Sequence, residues 1–167
     1  MKKFLYIDVV LTFFICFLTH SFYDFFKNSL TLIFFPVNES IWEHGKMVIT
    51  AGILVAFIEL LYFKFRKIEI NNIMIFKICA SLMSILLIYI FSLVDNFIFH
   101  IILLLVCLSI SSFVLKFILQ KKEVKNNCLI SLVLIILIYL VYGYLTYQPL
   151  EIDLFLSKTD YIYGLGN

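Results

Sequence analysis

The chain has 167 residues, of which 63% are hydrophobic and 14% charged, with a mean hydropathy of +1.07. A soluble domain of this length carries nearly twice that charge, so the composition excludes an ordinary water-soluble fold. The net charge of +2 gives no footing for nucleic-acid binding. The length leaves room for one membrane domain, 1–167.

The first apolar run covers 4–26 and carries Asp8 inside it, with His20, Tyr23 and Asp24 at its far end. It lacks the small residues of a signal cleavage site, and is predicted to be a retained span. A half-polar stretch from Lys27 to Lys46 follows. Its apolar piece, 30–35, is too short to cross a bilayer, which takes roughly 20 residues, and is predicted to lie in the interface or dip in as a re-entrant segment. The second span is predicted over 47–63 and ends in Lys64, Arg66 and Lys67.

The apolar stretch 73–118 is too long for one span, and Asp95-Asn96 near its middle predicts a tight hairpin between spans 73–94 and 97–118. Lys77 and Lys116 are expected to snorkel from the far ends of that hairpin to a common surface. A fifth span is predicted over 128–147, stopped by Pro149 and followed by a polar tail. The fold class is therefore all-α: an integral membrane bundle of about five transmembrane helices. The four cysteines, Cys16, Cys79, Cys107 and Cys128, are scattered singly in apolar runs and read as unbridged buried hydrophobes.

The Lys/Arg distribution sets the orientation. With a cytoplasmic N-terminus, ten of the thirteen basic residues fall inside, leaving Lys27, Lys46 and Lys158 outside. A cell-membrane protein with an extracytoplasmic C-terminus is expected. All three histidines then lie on the outer side, with most of the polar loop residues.

The densest polar group is Asn38-Glu39-Ser40-Ile41-Trp42-Glu43-His44. At helical spacing Glu39 and Glu43 share a face, and His20 and Asp24 are likewise one turn apart. Two histidines and two or three carboxylates form either a mixed nitrogen/oxygen site for a divalent metal such as zinc, or a metal-free acid/base group. The candidate catalytic or metal-binding residues are His20, Glu39, Glu43 and His44, with Asp24, Asn38, His100 and Asp153 as possible additions. The structural readings compete: Ser40-x-x-Glu43 is a capping box, and Trp42 suits a membrane interface. Asp8 and Glu59, near the cytoplasmic edge, read as structural ion pairs with Lys3, Lys64 or Lys77.

This string, preceded by His20-x-x-Tyr23, resembles small bacterial multi-pass membrane proteins of unknown function. They carry a similar N-E-S-x-W-E-H stretch after helix one and a tail with an acidic residue and Tyr-Gly, here Asp153 and Tyr163-Gly164. The resemblance implies the fold and the choice of residues, and no reaction.

Two functions remain open from sequence. One is a metal-dependent or acid/base hydrolase or transferase acting at the outer face on a lipid-like or membrane-anchored substrate. The other is a non-catalytic membrane component, such as a transporter subunit, an immunity protein or an assembly partner. Membrane lipid or another membrane protein is the expected partner. There is no Gly-rich phosphate loop and no motif for a nucleophilic Ser or Cys.

Overall fold

The computed structural model describes residues 2–67, 73–91, 96–120 and 128–166. Within these the chain forms α1 (Lys2–His20), α2 (Phe22–Phe25), α3 (Ser29–Phe34), α4 (Ile41–Phe65), α5 (Ile73–Phe91), α6 (Phe97–Gln120) and α7 (Cys128–Tyr147). A two-residue hairpin, β1 (Leu156–Ser157) with β2 (Ile162–Tyr163), closes the chain. It is a helical membrane bundle. Four stretches, Ile7–Phe25, Ile41–Phe65, Ile73–Phe91 and Leu129–Tyr147, are long and apolar enough to cross a membrane, and α6 contributes the apolar stretch Ile98–Val114. The Asp95 turn and most of the 120–127 loop lie outside the described residues, as does the Lys116 side chain.

The core runs along the inner faces of α1, α4, α5, α6 and α7, from Val9 and Cys16 through Val48, Ile49 and Ala51 to Ile85, Leu108 and Tyr142. Phe14, Leu18, Phe57, Leu86, Ile110 and Leu140 point outward and are exposed, as lipid-facing residues are. Cys16, Cys79 and Cys107 are free thiols. The Cys128 side chain is not among those described.

At one end of the bundle a buried ion cluster joins three helices. Lys77 on α5 contacts Asp8 on α1, and lies 3.2 Å from Glu59 on α4. Among the described side chains, Lys77 is the expected partner that meets both acids. It does not snorkel: at 3% exposure its ammonium turns inward, because two buried carboxylates compensate it better than a distant interface does.

The other end is where the elements depart from expectation. The first apolar run breaks at Ser21, so α1 ends at His20, and Asp24 falls on a separate short turn. The second span begins at Ile41, six residues before the expected 47, because Ser40 caps it: its hydroxyl accepts from the Glu43 N–H. This is half of the anticipated capping box. The Glu43 carboxylate does not return to Ser40, whose N–H donates to Asn38 Oδ1 instead.

The 30–35 segment is α3, and it is tucked into the bundle. Asn28 starts it with a complete capping box to Thr31. Its carbonyls at Leu32 and Phe34, left without intrahelical partners at the helix end, accept from Lys46 Nζ (2.9 Å) and Thr50 Oγ1 (2.6 Å) on α4. Phe34 packs edge-on to Tyr139 of α7.

The tail folds back over this same end. The Trp42 N–H, an orphan donor in the first turn of α4, donates to the Leu154 carbonyl, and Phe155 stacks on the Trp42 indole at 4.7 Å. Gly164 adopts φ +53, and a side chain there would meet the Thr146 carbonyl and Pro149. Its own carbonyl accepts from Asn38 Nδ2 at 2.7 Å.

Candidate metal site

Ending α1 at His20 and starting α4 at Ser40 brings two histidines face to face. His20 Nε2 and His44 Nε2 are 3.2 Å apart. Glu39 does not sit on the helix. It lies just before the cap, and its Oε2 is 3.5 Å from His20 Nε2 and 3.4 Å from His44 Nε2. The three donor atoms thus form a near-equilateral triangle. Two ligands bonded at ~2.0–2.2 Å to one tetrahedral metal ion lie roughly 3.3–3.5 Å apart, so the separations match the edge of a coordination tetrahedron.

The tautomer of one ligand is fixed. His44 Nδ1 lies 2.8 Å from the Ser40 carbonyl, which accepts only from an N–H. Its Nε2 therefore carries the lone pair and faces the triangle, the usual way a protein orients a metal-binding imidazole. In the metal-free protein His20 Nε2–H can donate to that lone pair. The hydrogen bond from His20 first, then the neighbouring His44 ring, hold the Glu39 carboxyl well below the usual carboxylate range. All three side chains are partly exposed, between 29% and 45%, which leaves an approach for a further ligand.

Glu43, expected on the same face as Glu39, is elsewhere. It is 1% exposed and has every oxygen engaged. Oε2 accepts from Lys46 Nζ (2.7 Å) and from the Val37 N–H (3.1 Å), and Oε1 accepts from Thr146 Oγ1 (2.7 Å). It ties the 37–40 turn, α4 and α7 together. Lys46, counted in the sequence among the outer basic residues, is fully buried beside it. The i,i+3 spacing of Glu43 and Lys46 was a signal for that pair. Thr146 carried none.

The remaining candidates are not brought to the triangle. Asn38 is buried and locks the turn to the tail, its amide nitrogen occupied by Gly164. Asp24 is exposed beyond the break at Ser21 and makes no ion pair among the described residues. Asp153 is exposed in the tail. His100 lies in the first turn of α6, its N–H bonded to the Asn96 carbonyl, its ring 6.1 Å from that of Phe99. Among the described residues, the group of metal-ligating type is His20, Glu39 and His44.

The model of a family described as a family of unknown function, DUF6512, matches residues 1–165. The chain belongs to that family. No curated protein and no solved structure matches the sequence. The match spans both halves of the site of this DUF6512 member: His20 on α1, and the 39–44 segment that closes on it.

Proposed function

We propose that this DUF6512 protein binds one divalent metal ion, with zinc the best fit, through His20, Glu39 and His44, and uses it for hydrolysis or group transfer at the membrane surface. The observation that carries this reading is the triangle of donor atoms with His44 Nδ1 already committed to Ser40. Two imidazoles and one carboxylate suit zinc, and three protein ligands leave a fourth position for water or substrate, as in catalytic rather than closed structural sites. A bound divalent ion would polarise a carbonyl or phosphoryl oxygen and activate water. The protein's own part is to fix the two imidazoles: His44 through Ser40, and His20 through the end of α1. We read the 38–44 string as the family's signature on this basis, since its residues either enter the triangle or build the turn that presents it.

The surroundings support a lipid-like or membrane-anchored substrate. Phe25, Phe26 and Leu30 are exposed beside the site together with Lys27, a mixture that belongs at the boundary between hydrocarbon and headgroups. With Lys46 buried against Glu43, the described basic residues exposed at this end are Lys27 and Lys158. Lys64, Arg66 and Lys67 are exposed at the other. The positive-inside rule then favours a cell-membrane protein with the triangle outside and the N-terminus in the cytoplasm.

Metal analysis of protein purified without chelator is the test. One metal per chain is expected, lost in His20→Ala and Glu39→Gln. Metal-free protein that takes up no added Zn2+ would overturn the reading. Mass analysis of vesicle lipids, with and without Zn2+, then separates the enzyme from the non-catalytic component. A metal-dependent lipid product supports the former. A loaded protein that changes no ester- or phosphodiester-linked lipid supports the latter.

A further inference from the structure

The bundle buries a group of full charges at each end, and the two groups differ in their charge count. At the triangle end Glu43 and Lys46 are one carboxylate and one ammonium, and both oxygens of Glu43 are hydrogen-bonded or ion-paired. At the opposite end two carboxylates, Asp8 of α1 and Glu59 of α4, share the one ammonium of Lys77 on α5. Each of these three residues is at most 5% exposed. Beyond the two ion contacts, neither Lys77 Nζ nor Asp8 Oδ1 has a hydrogen-bond partner among the described residues.

Fully ionised, the Lys77 cluster carries one negative charge in excess. Nothing else described on these helices offsets it. Tyr62, Lys64 and Arg66 of α4 are exposed, Cys79 and Cys107 are thiols, and α7 has no charged residue. His100 is at the other end of α6, and the side chains of Lys2, Lys3, Tyr6 and Lys116 lie outside the described ones. A buried charge without compensation is costly enough that a carboxylate takes up a proton instead. Lys77 already stands between the two carboxylates, where a metal cation would otherwise bind, which leaves the proton as the cation to be taken up. Asp8 is in direct contact with the ammonium, whereas Glu59 stands at 3.2 Å, so neutralising Glu59 gives up the weaker attraction. Glu59 is also six residues, ~9 Å, from the end of α4 at Phe65, within reach of water at that end.

We infer that the Asp8–Glu59–Lys77 cluster is a proton-binding site, holding at neutral pH one exchangeable proton on Glu59, drawn from water at that end of the bundle. Uptake converts the Glu59 carboxylate to a neutral carboxyl and leaves the cluster with no net charge. Release puts one uncompensated negative charge between α1, α4 and α5, so alkaline pH loosens the contact among these three helices. An ionisable group that changes charge inside a span is what a proton-coupled or proton-sensing membrane protein needs. The inference does not rest on the metal reading and survives its failure.

A protonated carboxyl is read directly by infrared spectroscopy, as a carbonyl stretch well separated from the carboxylate bands. The full-length protein is measured at neutral pH in an ester-free detergent, where solvent-exposed Asp and Glu side chains are ionised. One carboxylic acid per chain is expected, moving to lower frequency in heavy water. Isotope labelling of the glutamate carboxyl carbons should shift the band, and labelling of the aspartate carboxyl carbons should not. Glu59→Gln, which mimics the neutral acid, should lose the band and keep the fold. Asp8→Asn should lose it too, because Glu59 then becomes the counter-charge of Lys77. Lys77→Met should raise the count from one acid to two. A wild-type spectrum without the band would overturn the inference, and stabilisation of that protein by added Na+ would assign the cluster to a metal cation instead. A band that persists in folded Glu59→Gln, or that does not move in heavy water, would overturn it as well.

Discussion

His44 Nδ1 is anchored 2.8 Å from the Ser40 carbonyl, four residues back across the first turn of α4. A backbone carbonyl thereby decides which nitrogen of the ring is free to bind. The prediction concerns geometry as well as affinity. Co2+ added to the purified protein should give the intense visible absorption of a four-coordinate ion. His44→Gln should lower Co2+ affinity by at least about 100-fold, beyond the 10–100-fold typical of losing an orienting partner alone. An unchanged spectrum in that variant would remove His44 from the site.

Glu43 and Lys46 are predicted to matter for stability rather than for metal. Glu43→Gln leaves the Lys46 ammonium buried without a counter-charge, and breaking one side of such a pair costs about 3–5 kcal/mol. Replacing both, as Glu43→Gln with Lys46→Met, should recover most of that loss. The double-mutant cycle is read by unfolding in detergent. Refolded Glu43→Gln should still take up one Co2+. Loss of Co2+ from a folded Glu43→Gln would place Glu43 in the metal site after all.

Two glycines make a paired prediction. A Cβ at Gly45 would run into the Tyr142 and Tyr89 hydroxyls, whereas one at Gly143 would meet Ile33 Cγ1 at an ordinary 3.6 Å. Gly45→Ala should therefore destabilise by about 1–3 kcal/mol through overpacking, with partial rescue by Tyr142→Phe. Gly143→Ala should be neutral or stabilising by up to about 1 kcal/mol, from the higher helix propensity of alanine. Thermal unfolding of the four variants checks the set.

Acid should loosen the metal-free site. Glu39 is held below its ordinary value of 4.5 by the hydrogen bond from His20 first and by the neighbouring His44 ring. A depressed carboxyl contributes stability that is present above the unfolded pKa and lost as pH falls through the folded one. The loss should therefore set in below about pH 4.5. It should be about 1 kcal/mol or less, because Glu39 is nearly half exposed. Glu39→Gln should flatten the stability profile in that window. A variant with the wild-type slope would show that the acid transition belongs to other groups.

The sequence by itself determined that this is a helical membrane bundle, roughly where its spans lie, and that the 38–44 string and His20 deserve attention. Those features are local: apolar run length, a serine three residues before a glutamate, a proline after the last span. It could not separate Glu39 from Glu43. Helical spacing put them on one face, but the helix is capped at Ser40 and starts at Ile41, so Glu39 hangs outside it and turns to the histidines while Glu43 turns inward to Lys46 and Thr146. Only the tertiary structure decided that division, because it depends on where α1 breaks, how deeply α3 is tucked in, and how the tail closes over Trp42. The same holds for Lys46 and Lys77. Each reads as a surface charge in the sequence and is buried in the fold: Lys46 has Glu43 three residues before it, but the Leu32 carbonyl that completes its site is 14 residues away, and the Asp8 that compensates Lys77 is 69 residues away.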